Sequence, residues 1–246
     1  MTLLKQYISD LDTKRFGFNI AKINDIDILL NPKLKIFANK IGIKLIISRQ
    51  SVENIQAINK LEAIGFKTKD YQHTFSYNLK KEIPIFQSKS FNLREAEIKD
   101  GEAIKNIAQN SFYNYGHYFS NEMLDKSNCL EVYTDWAYRS LTDKSIADHM
   151  IVAEQNEKIL GFLSFKIFHN NRESFAAGGI GAVSQEARGL GVFKGINIEG
   201  LRWAKNNGID RMEHNVLVNN YPVNNSYIGL GFKVIRANTT LHLITS

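Results

Sequence analysis

The stretch that decides the fold covers residues 179–193 and reads Gly-Ile-Gly-Ala-Val-Ser-Gln-Glu-Ala-Arg-Gly-Leu-Gly-Val-Phe. Its first five residues, 179–183, are small and apolar, which is typical of a strand buried on both faces of a sheet. A turn and a glycine-rich loop follow, and residues 192–206 carry apolar side chains at helical spacing. The stretch therefore predicts a strand, a loop and a helix that begins at the loop.

The loop Arg188-Gly189-Leu190-Gly191 has the composition of an anion site. Two glycines beside a helix start leave backbone N–H groups accessible, and the helix dipole adds partial positive charge there. The loop lacks the Gly-Lys-Ser/Thr of a nucleoside-triphosphate loop. It also lacks the spacing of a dinucleotide fingerprint, because the next glycine is Gly195. The loop therefore predicts a phosphate site of another kind.

Two segments together resemble the GNAT family of N-acetyltransferases. Residues 188–193 resemble its pyrophosphate loop, (Arg/Gln)-x-x-Gly-x-(Gly/Ala), with Phe193 where the family prefers a small residue. Residues 220–232 resemble its second signature, Asn-x-x-Ala-x-x-Leu-Tyr-x-x-x-Gly-Phe. The positions in register with that signature are Asn220, Tyr227, Gly231 and Phe232, whereas Val223 and Ser226 replace its Ala and Leu. The resemblance covers approximately residues 90–246.

The resemblance implies an α/β (α+β) GNAT fold, in which a mixed central sheet has helices on both faces. Acetyl-CoA, the implied co-substrate, would bind where strands 175–183 and 210–217 diverge. Tyr227 is the implied general acid for the departing thiolate, and a backbone N–H near Val183 would stabilise the oxyanion. The implied cofactor-binding residues are Ala182, Val183, Arg188, Gly189, Leu190, Gly191, Val192, Phe193 and Asn220.

The general base is left open by the sequence. Glu213 and His214 are neighbours on the strand 210–217, so their side chains point to opposite faces and only one of them can face the cleft. Asn215 shares a face with Glu213 and is an alternative polar contact. Deprotonation of the amine through water would need none of them.

A weak internal repeat suggests a domain division. Residues 61–67, Leu-Glu-Ala-Ile-Gly-Phe-Lys, echo residues 227–233, Tyr-Ile-Gly-Leu-Gly-Phe-Lys, and each copy precedes a predicted strand. We predict a truncated, degenerate GNAT-like half at 1–80, a linker at 81–90 and the acetyltransferase domain at 91–246. The first half lacks a glycine-rich loop, so we expect it to serve packing or acceptor binding. A common helix–Gly–Phe–strand junction remains an alternative reading of the repeat.

Three further segments carry local patterns. Residues 15–23 alternate as a strand does. Residues 169–173 are polar and predict a turn before the central strand. Residues 112–120 are unusually aromatic for a loop, and this segment either covers a ligand ring or forms an apolar plug between the domains.

Composition limits the class of protein. The chain has 246 residues and a net charge of +6, which suits an anionic ligand such as CoA or a nucleotide-sugar. The positive charges are scattered, so nucleic acid is not favoured. The single Cys129 excludes an internal disulfide, fits a reducing cytoplasm, and reads as a packing residue. No apolar run approaches about 18 residues and no signal peptide is evident, so we expect a cytoplasmic protein without membrane insertion. We predict no metal site.

Finer features point to an acceptor. The segment Asp12–Gly17 and the pair Tyr133 and Trp136 resemble TDP-4-amino-4,6-dideoxygalactose (TDP-fucosamine) acetyltransferases, although those enzymes usually carry Trp-Asp and Phe-Phe-Gly where this chain has Leu-Asp and Arg-Phe-Gly. The expectation is acetyl transfer to the primary amine of a nucleotide-linked amino-deoxysugar. The alternatives are a protein N-terminus, an amino acid or an antibiotic as acceptor, or a non-catalytic acyl-CoA-binding regulatory module. A homodimer is left open.

Overall fold

The computed structural model describes residues 2–169 and 174–245. The turn predicted over 169–173 lies outside these residues, apart from His169. The strands are β1 (Asn19–Lys22), β2 (Ile43–Ser51), β3 (Lys67–Asn78), β4 (Asn92–Glu95), β5 (His149–Gln155), β6 (Lys158–His169), β7 (Ser174–Val183), β8 (Arg211–Leu217) and β9 (Lys233–Ile244). The helices are α1 (Asp10–Phe16), α2 (Ile26–Leu29), α3 (Leu34–Lys40), α4 (Ile55–Ala63), α5 (Gly101–Ser111), α6 (Gly116–Phe119), α7 (Lys126–Thr142), α8 (Val192–Asn206) and α9 (Tyr221–Gly229).

The chain forms two compact units that do not follow its linear order. Unit 1 contains residues 2–73, 114–129 and 236–245, and unit 2 contains residues 74–113 and 130–235. Unit 1 therefore takes in a middle segment and the end of the chain, because β9 pairs with β2 in antiparallel register from Leu45↔Ile244 to Ser51↔Asn238. The division predicted at residues 81–90 concerns the two related halves of the chain, and it stays a prediction.

Unit 1 is built on strands β1 and β2, which are parallel, and on β9, which is antiparallel to β2. One face of this sheet carries Ile46, Leu241 and Leu243, whose side chains are buried. These side chains pack with Ile58 and Leu61 of α4 in a single apolar cluster. Burial of this cluster is the main stabilising term for the unit.

Unit 2 contains a mixed sheet in the order β8-β7-β6-β5-β4. Strands β4 to β7 form antiparallel neighbours, and β7 and β8 are parallel. Helices α5 and α8 both pack on β6 and β7. Gly200 permits the close approach of α8, because a Cβ there would lie 2.2 Å from the ring of Phe165 on β6. The predicted class, a mixed α/β fold with a mixed sheet and packed helices, is confirmed.

The predicted strand over residues 15–23 is wrong in its first part. Residues Asp10–Phe16 form helix α1, and the strand is limited to Asn19–Lys22. Ser9 caps the helix by accepting a hydrogen bond from the backbone N–H of Asp12, and Gly17 ends it with a φ of 76°. The two caps stabilise a helix over residues 10–16, although residues 15–18 continue the alternating pattern of the strand.

The aromatic segment 112–120 is divided between the units. Within unit 2, Phe112 is stacked on Tyr133 with ring centroids 5.0 Å apart. Within unit 1, Tyr118 is stacked on Phe16 at 5.8 Å. Cys129 is buried, and desolvation raises the pKa of its thiol to about 11, which fits a packing role. Over the residues that the structure describes, no helix has both the length and the apolar character needed to cross a membrane.

Candidate functional site

Strands β7 and β8 diverge in unit 2. Their parallel pairs are Phe175↔Arg211, Ala176↔Met212 and Ala177↔Glu213, and no later pair joins them among the described residues. Beyond this point β7 continues for six residues, to Val183, with β6 as its partner on the other side. Backbone groups on the facing edges of β7 and β8 are therefore available to a ligand, since polar backbone groups need partners when water is excluded. This divergence is the one that the resemblance implies.

A bulge bends β7 at the start of the divergence. Leu163 pairs with Gly181 and Phe165 pairs with Gly178, so Ser164 faces two residues, Gly179 and Ile180. The Ser164 hydroxyl accepts a hydrogen bond from the N–H of Ile180 at 3.0 Å and donates to its carbonyl at 3.3 Å. The backbone N–H and carbonyl of Ile180 at the bulge therefore have a hydrogen-bond partner within the protein. Gly179 has to stay small, because a Cβ there would lie 2.5 Å from the Ser164 oxygen.

The glycine-rich loop leads into α8 through two left-handed residues. Gly189 and Gly191 have φ values of 83° and 82°, a region that side chains other than glycine seldom adopt. The first hydrogen bond within the helix runs from the N–H of Gly195 to the carbonyl of Gly191, at 2.9 Å. The N–H groups of residues 192–194 precede it, and Gly191, as N-cap, has no side chain to accept from them. This helix start is open to an anion.

The predicted cofactor-binding residues fall into three groups by exposure. Arg188, Gly189 and Leu190 are exposed, and Gly191, Val183, Phe193 and Asn220 are half-buried. Ala182 and Val192 are buried. Residues 188–193 form one continuous loop and helix start, whereas Ala182 and Val183 end β7 and Asn220 precedes α9. Their contact with a cofactor stays a prediction.

The side chain of Phe193 is turned into the core. Its ring lies edge-on to the ring of Tyr227, with centroids 5.3 Å apart, and it packs against the main apolar cluster of unit 2. Phe86 lies against the loop and the helix start, since its ring would lie 3.6 Å from a Cβ on Gly191 and 2.6 Å from one on Gly195. Sequence reasoning missed Phe86, because no local pattern links residue 86 to a helix that begins at residue 192.

Tyr227 lies on α9 and is 3% exposed. Aromatic rings surround it: Phe75 lies at 5.4 Å, Phe232 at 5.0 Å and His214 at 4.7 Å between centroids, the last in a stacked arrangement. The position of α9 is fixed by Asn224, whose side-chain N–H donates to the carbonyls of Leu217 at 2.9 Å and Asn220 at 2.7 Å. The sequence did not single out Asn224, although it stands inside the second signature.

Glu213 and His214 point to opposite faces of β8, as their alternation predicts. Glu213 accepts a hydrogen bond from Nε of Arg211 at 2.8 Å, and both side chains lie on the face with Phe175, over whose ring Arg211 sits. His214 faces Tyr227, and a Cβ on Gly178 would lie 1.9 Å from its Nδ1. Desolvation lowers the pKa of His214 to about 3, so its ring is neutral at physiological pH. Its buried Nε2 has no hydrogen-bond partner in the described part of the chain.

Comparison with known proteins agrees with this geometry. Residues 104–232, just over half of the chain, match the Acetyltransferase (GNAT) family. No curated protein matches the chain.

Among solved structures, the chain is similar to a functionally unknown conserved protein from Staphylococcus epidermidis ATCC 12228, with a TM-score of 0.61, 11% identity, and coverage of 92% of this chain and 84% of that one. It is also similar to a tandem GNAT protein from the clavulanic acid biosynthesis pathway, with a TM-score of 0.61, 13% identity, and coverage of 87% and 68%. A GCN5-related N-acetyltransferase from Kribbella flavida gives a TM-score of 0.59, 10% identity, and coverage of 91% and 80%.

These structures share the fold of this chain, and one of them is described as a tandem GNAT protein. The family match spans the diverging strands, the glycine-rich loop at the start of α8 and the helix that carries Tyr227. On these grounds the chain belongs to the GNAT family of acetyltransferases.

Proposed function

We propose that the chain transfers an acetyl group from acetyl-CoA to a primary amine. The observation that carries the proposal is the combination, in unit 2, of diverging parallel strands with an uncapped helix start at the end of one of them. A long ligand with an anionic part and an amide-bearing arm suits both features. Free N–H groups at the start of α8 donate hydrogen bonds to the pyrophosphate oxygens, and the N–H and C=O groups of the open strand edges pair with the amides of the arm.

The proposed pyrophosphate contact uses backbone and guanidinium donors at the start of α8. The N–H groups of residues 192–194, the left-handed turns at Gly189 and Gly191 and the exposed guanidinium of Arg188 supply donors for the phosphate oxygens. The first turn of α8 contains no acidic residue that would repel the ligand. Phe86 and Phe193 both pack against the core cluster, so their rings lie on the core side of the loop and helix start.

In the proposed reaction, the neutral nitrogen of the acceptor attacks the thioester carbonyl carbon. A carbon–nitrogen bond forms, the oxygen takes a negative charge, and the amine proton passes to water or to a base on the protein. The carbon–sulfur bond then breaks, and the thiolate takes the phenol proton of Tyr227, which solvent later restores. A phenol suits this role because it stays protonated across neutral pH and its ordinary pKa is near that of a thiol.

The proposed acceptor is a nucleotide-linked amino-deoxysugar. The support comes from the segment Asp12–Gly17 and the pair Tyr133 and Trp136, which resemble acetyltransferases of that class, and from the net charge of +6. The nucleoside diphosphate part of such an acceptor is an anion, and a protein with net positive charge attracts it. A protein N-terminus, an amino acid or an antibiotic would lack this match between charge and ligand.

The proposal is tested by calorimetric binding of acetyl-CoA, followed by release of the CoA thiol in the presence of a panel of amines. We expect binding without an acceptor, and thiol release above the rate of hydrolysis only when an acceptor amine is present. Failure to bind acetyl-CoA would defeat the proposal. Binding without turnover on any amine would favour the regulatory-module alternative, in which the site holds acyl-CoA but transfers nothing.

A further inference from the structure

Unit 1 carries a polar surface that its fold does not require. In the β2–β9 ladder, Arg49 faces Thr240 and Ile47 faces His242, and directly opposed residues of an antiparallel pair share a face. The opposite face of the same ladder holds the apolar cluster of the unit. A sheet needs one buried apolar face only, so polar side chains buried on the second face call for a separate explanation.

The segment 114–121 covers this second face. Within it, Tyr118 donates a hydrogen bond to the buried carboxylate of Asp12 at 3.1 Å, and Nδ1 of His117 lies 2.9 Å from Nε2 of His242. The amide nitrogen of Asn121 lies 2.8 Å from Nδ1 of His242. Because Asn121 uses its oxygen to accept from the N–H of Met123, its nitrogen must be the donor to His242.

This chain of hydrogen bonds has one direction. Nδ1 of His242 accepts, so its proton is on Nε2 and is donated to Nδ1 of His117, which is therefore neutral as well. Burial agrees with this assignment, since desolvation lowers the pKa of His242 to about 3 and also lowers that of His117. The two imidazoles thus anchor the segment without adding charge, and the charge of this surface comes from other residues.

Arg49 is the cation of this surface with the most free donors. Its side chain is exposed, and its Nε donates only to the Thr240 hydroxyl, at 3.5 Å. Over the described residues, no carboxylate lies within ion-pair distance of its guanidinium. The two neighbouring cations are engaged: Lys22 pairs with Asp12, and Lys69 donates to the carbonyl of Ser120 at 3.0 Å. A planar guanidinium with free N–H groups suits a phosphate oxygen pair.

Asp70 on β3 supplies the opposite charge. Both of its carboxylate oxygens are buried, and neither has a hydrogen bond of good geometry to any residue that the structure describes. Desolvation raises the pKa of Asp70, while the nearby Thr240 hydroxyl, Arg49 and the backbone N–H of His117 lower it less strongly. A buried carboxyl group whose oxygens make no well-aligned hydrogen bond is stabilised by a ligand that brings its own N–H groups, and a primary amine does so.

We infer that this surface of unit 1, formed by Arg49, Asp70 and the segment 114–121, binds the acceptor, with Arg49 on its diphosphate and Asp70 on its amine. The inference rests on the proposed function for the identity of the ligand as an acceptor. It assigns to unit 1 a ligand that has two charges of opposite sign, and it gives the segment 114–121 a covering role over that ligand.

The test measures binding of four probes by calorimetry: UDP-glucosamine, UDP-N-acetylglucosamine, UDP and free glucosamine. The first has both charged parts, the next two lack the free amine, and the last lacks the diphosphate. The variants are Asp70→Asn and Arg49→Gln. The matched controls are Asp10→Asn and Lys44→Gln, which remove exposed charges from the same unit. Acetyl-CoA binding is measured on every variant in parallel.

We expect Arg49→Gln to weaken all three nucleotide probes at least tenfold. We expect Asp70→Asn to weaken UDP-glucosamine at least tenfold relative to UDP-N-acetylglucosamine, and this ratio within one variant is independent of how much of the protein is folded. An unchanged ratio, or no binding of any nucleotide probe to the wild type, overturns the inference. Binding of acetyl-CoA without binding of the nucleotide probes would leave the proposed function intact and exclude this acceptor site. Binding of the nucleotide probes without binding of acetyl-CoA would support this site and exclude the proposed acetyl transfer.

Discussion

The most direct test of the glycine-rich loop compares two glycines that differ in place but not in conformation. Gly189 has a φ of 83° and Gly208 a φ of 71°, and at neither position would a Cβ meet another atom within 4 Å. Gly189 belongs to the loop before α8, and Gly208 follows the end of the same helix. Substitution by glutamate therefore imposes the same backbone strain at both positions, in open space, and only one of them lies at the proposed pyrophosphate site.

The two effects have different sizes. A left-handed conformation costs a residue with a Cβ about 1–2 kcal/mol, so both variants lose about that much free energy of unfolding. A carboxylate about 5 Å from a phosphate charge adds a repulsion of about 3 kcal/mol at an effective dielectric constant of about 20. This corresponds to roughly a 100-fold weaker binding of acetyl-CoA, and it applies to Gly189→Glu alone.

The assay is calorimetric titration of acetyl-CoA into both variants and the wild type, with thermal unfolding measured on the same samples. We expect the two variants to unfold at similar temperatures and Gly189→Glu alone to lose affinity. Equal affinities of the two variants would refute the placement of the pyrophosphate at this loop. Gly189→Ala and Gly208→Ala separate strain from charge, because alanine carries only the first effect.

Three further predictions concern chemistry, acid sensitivity and stability. Tyr227→Phe should lower kcat at least tenfold with little change in acetyl-CoA affinity, since the ring stays in its aromatic surroundings, and full turnover in steady-state assays would exclude the general-acid role. His214→Leu should reduce the acid sensitivity of folding. The pKa of His214 is about 3 in the folded protein and about 6.5 in the unfolded chain, so the unfolded chain takes up the proton first as pH falls. The wild type should therefore lose about 2 kcal/mol of unfolding free energy between pH 7 and pH 5, and the variant should keep it. Parallel pH curves from denaturant unfolding would count against it. Arg94→Met should lower the free energy of unfolding by about 2–4 kcal/mol, because Arg94 donates to the buried Asp100 at 2.7 Å. Lys105→Met, which removes an exposed ion pair, should change it by less than about 0.5 kcal/mol. Similar losses in both variants would contradict the argument.

Features that depend on local backbone chemistry could be predicted from the sequence. The helix expected over residues 192–206 is α8 with the same bounds, and the paired glycines before it are left-handed. The reason is that a glycine pair and a helix start act within a few residues of each other. The helix α1 could also have been found, because Ser9, the acidic first turn and Gly17 are helix signals that the alternating pattern concealed.

Features that depend on distant contacts could not be predicted. Nothing near Phe86 in the sequence indicates that its ring limits the side chains allowed at Gly191 and Gly195. The alternation along β8 separates Glu213 from His214, but it does not say which of them faces Tyr227, because that depends on where α9 packs. The membership of residues 236–245 in unit 1 likewise follows from the β2–β9 ladder, which joins residues about 200 positions apart.

The surroundings of Tyr227 place a condition on its proposed role. Its ring is held by aromatic neighbours, and α9 is tied to the end of β8 through Asn224, so the phenol has little freedom to move towards a leaving group. The thiolate must then be delivered to the phenol, which makes the reaction depend on how the loop and the strand edges fix the rest of acetyl-CoA. In such a site, a change at Gly189 acts on kcat as well as on affinity, because a cofactor bound out of register brings its sulfur to the wrong place. The neutral ring of His214 fits this condition, since a charged imidazole stacked on Tyr227 would attract the thiolate away from the phenol.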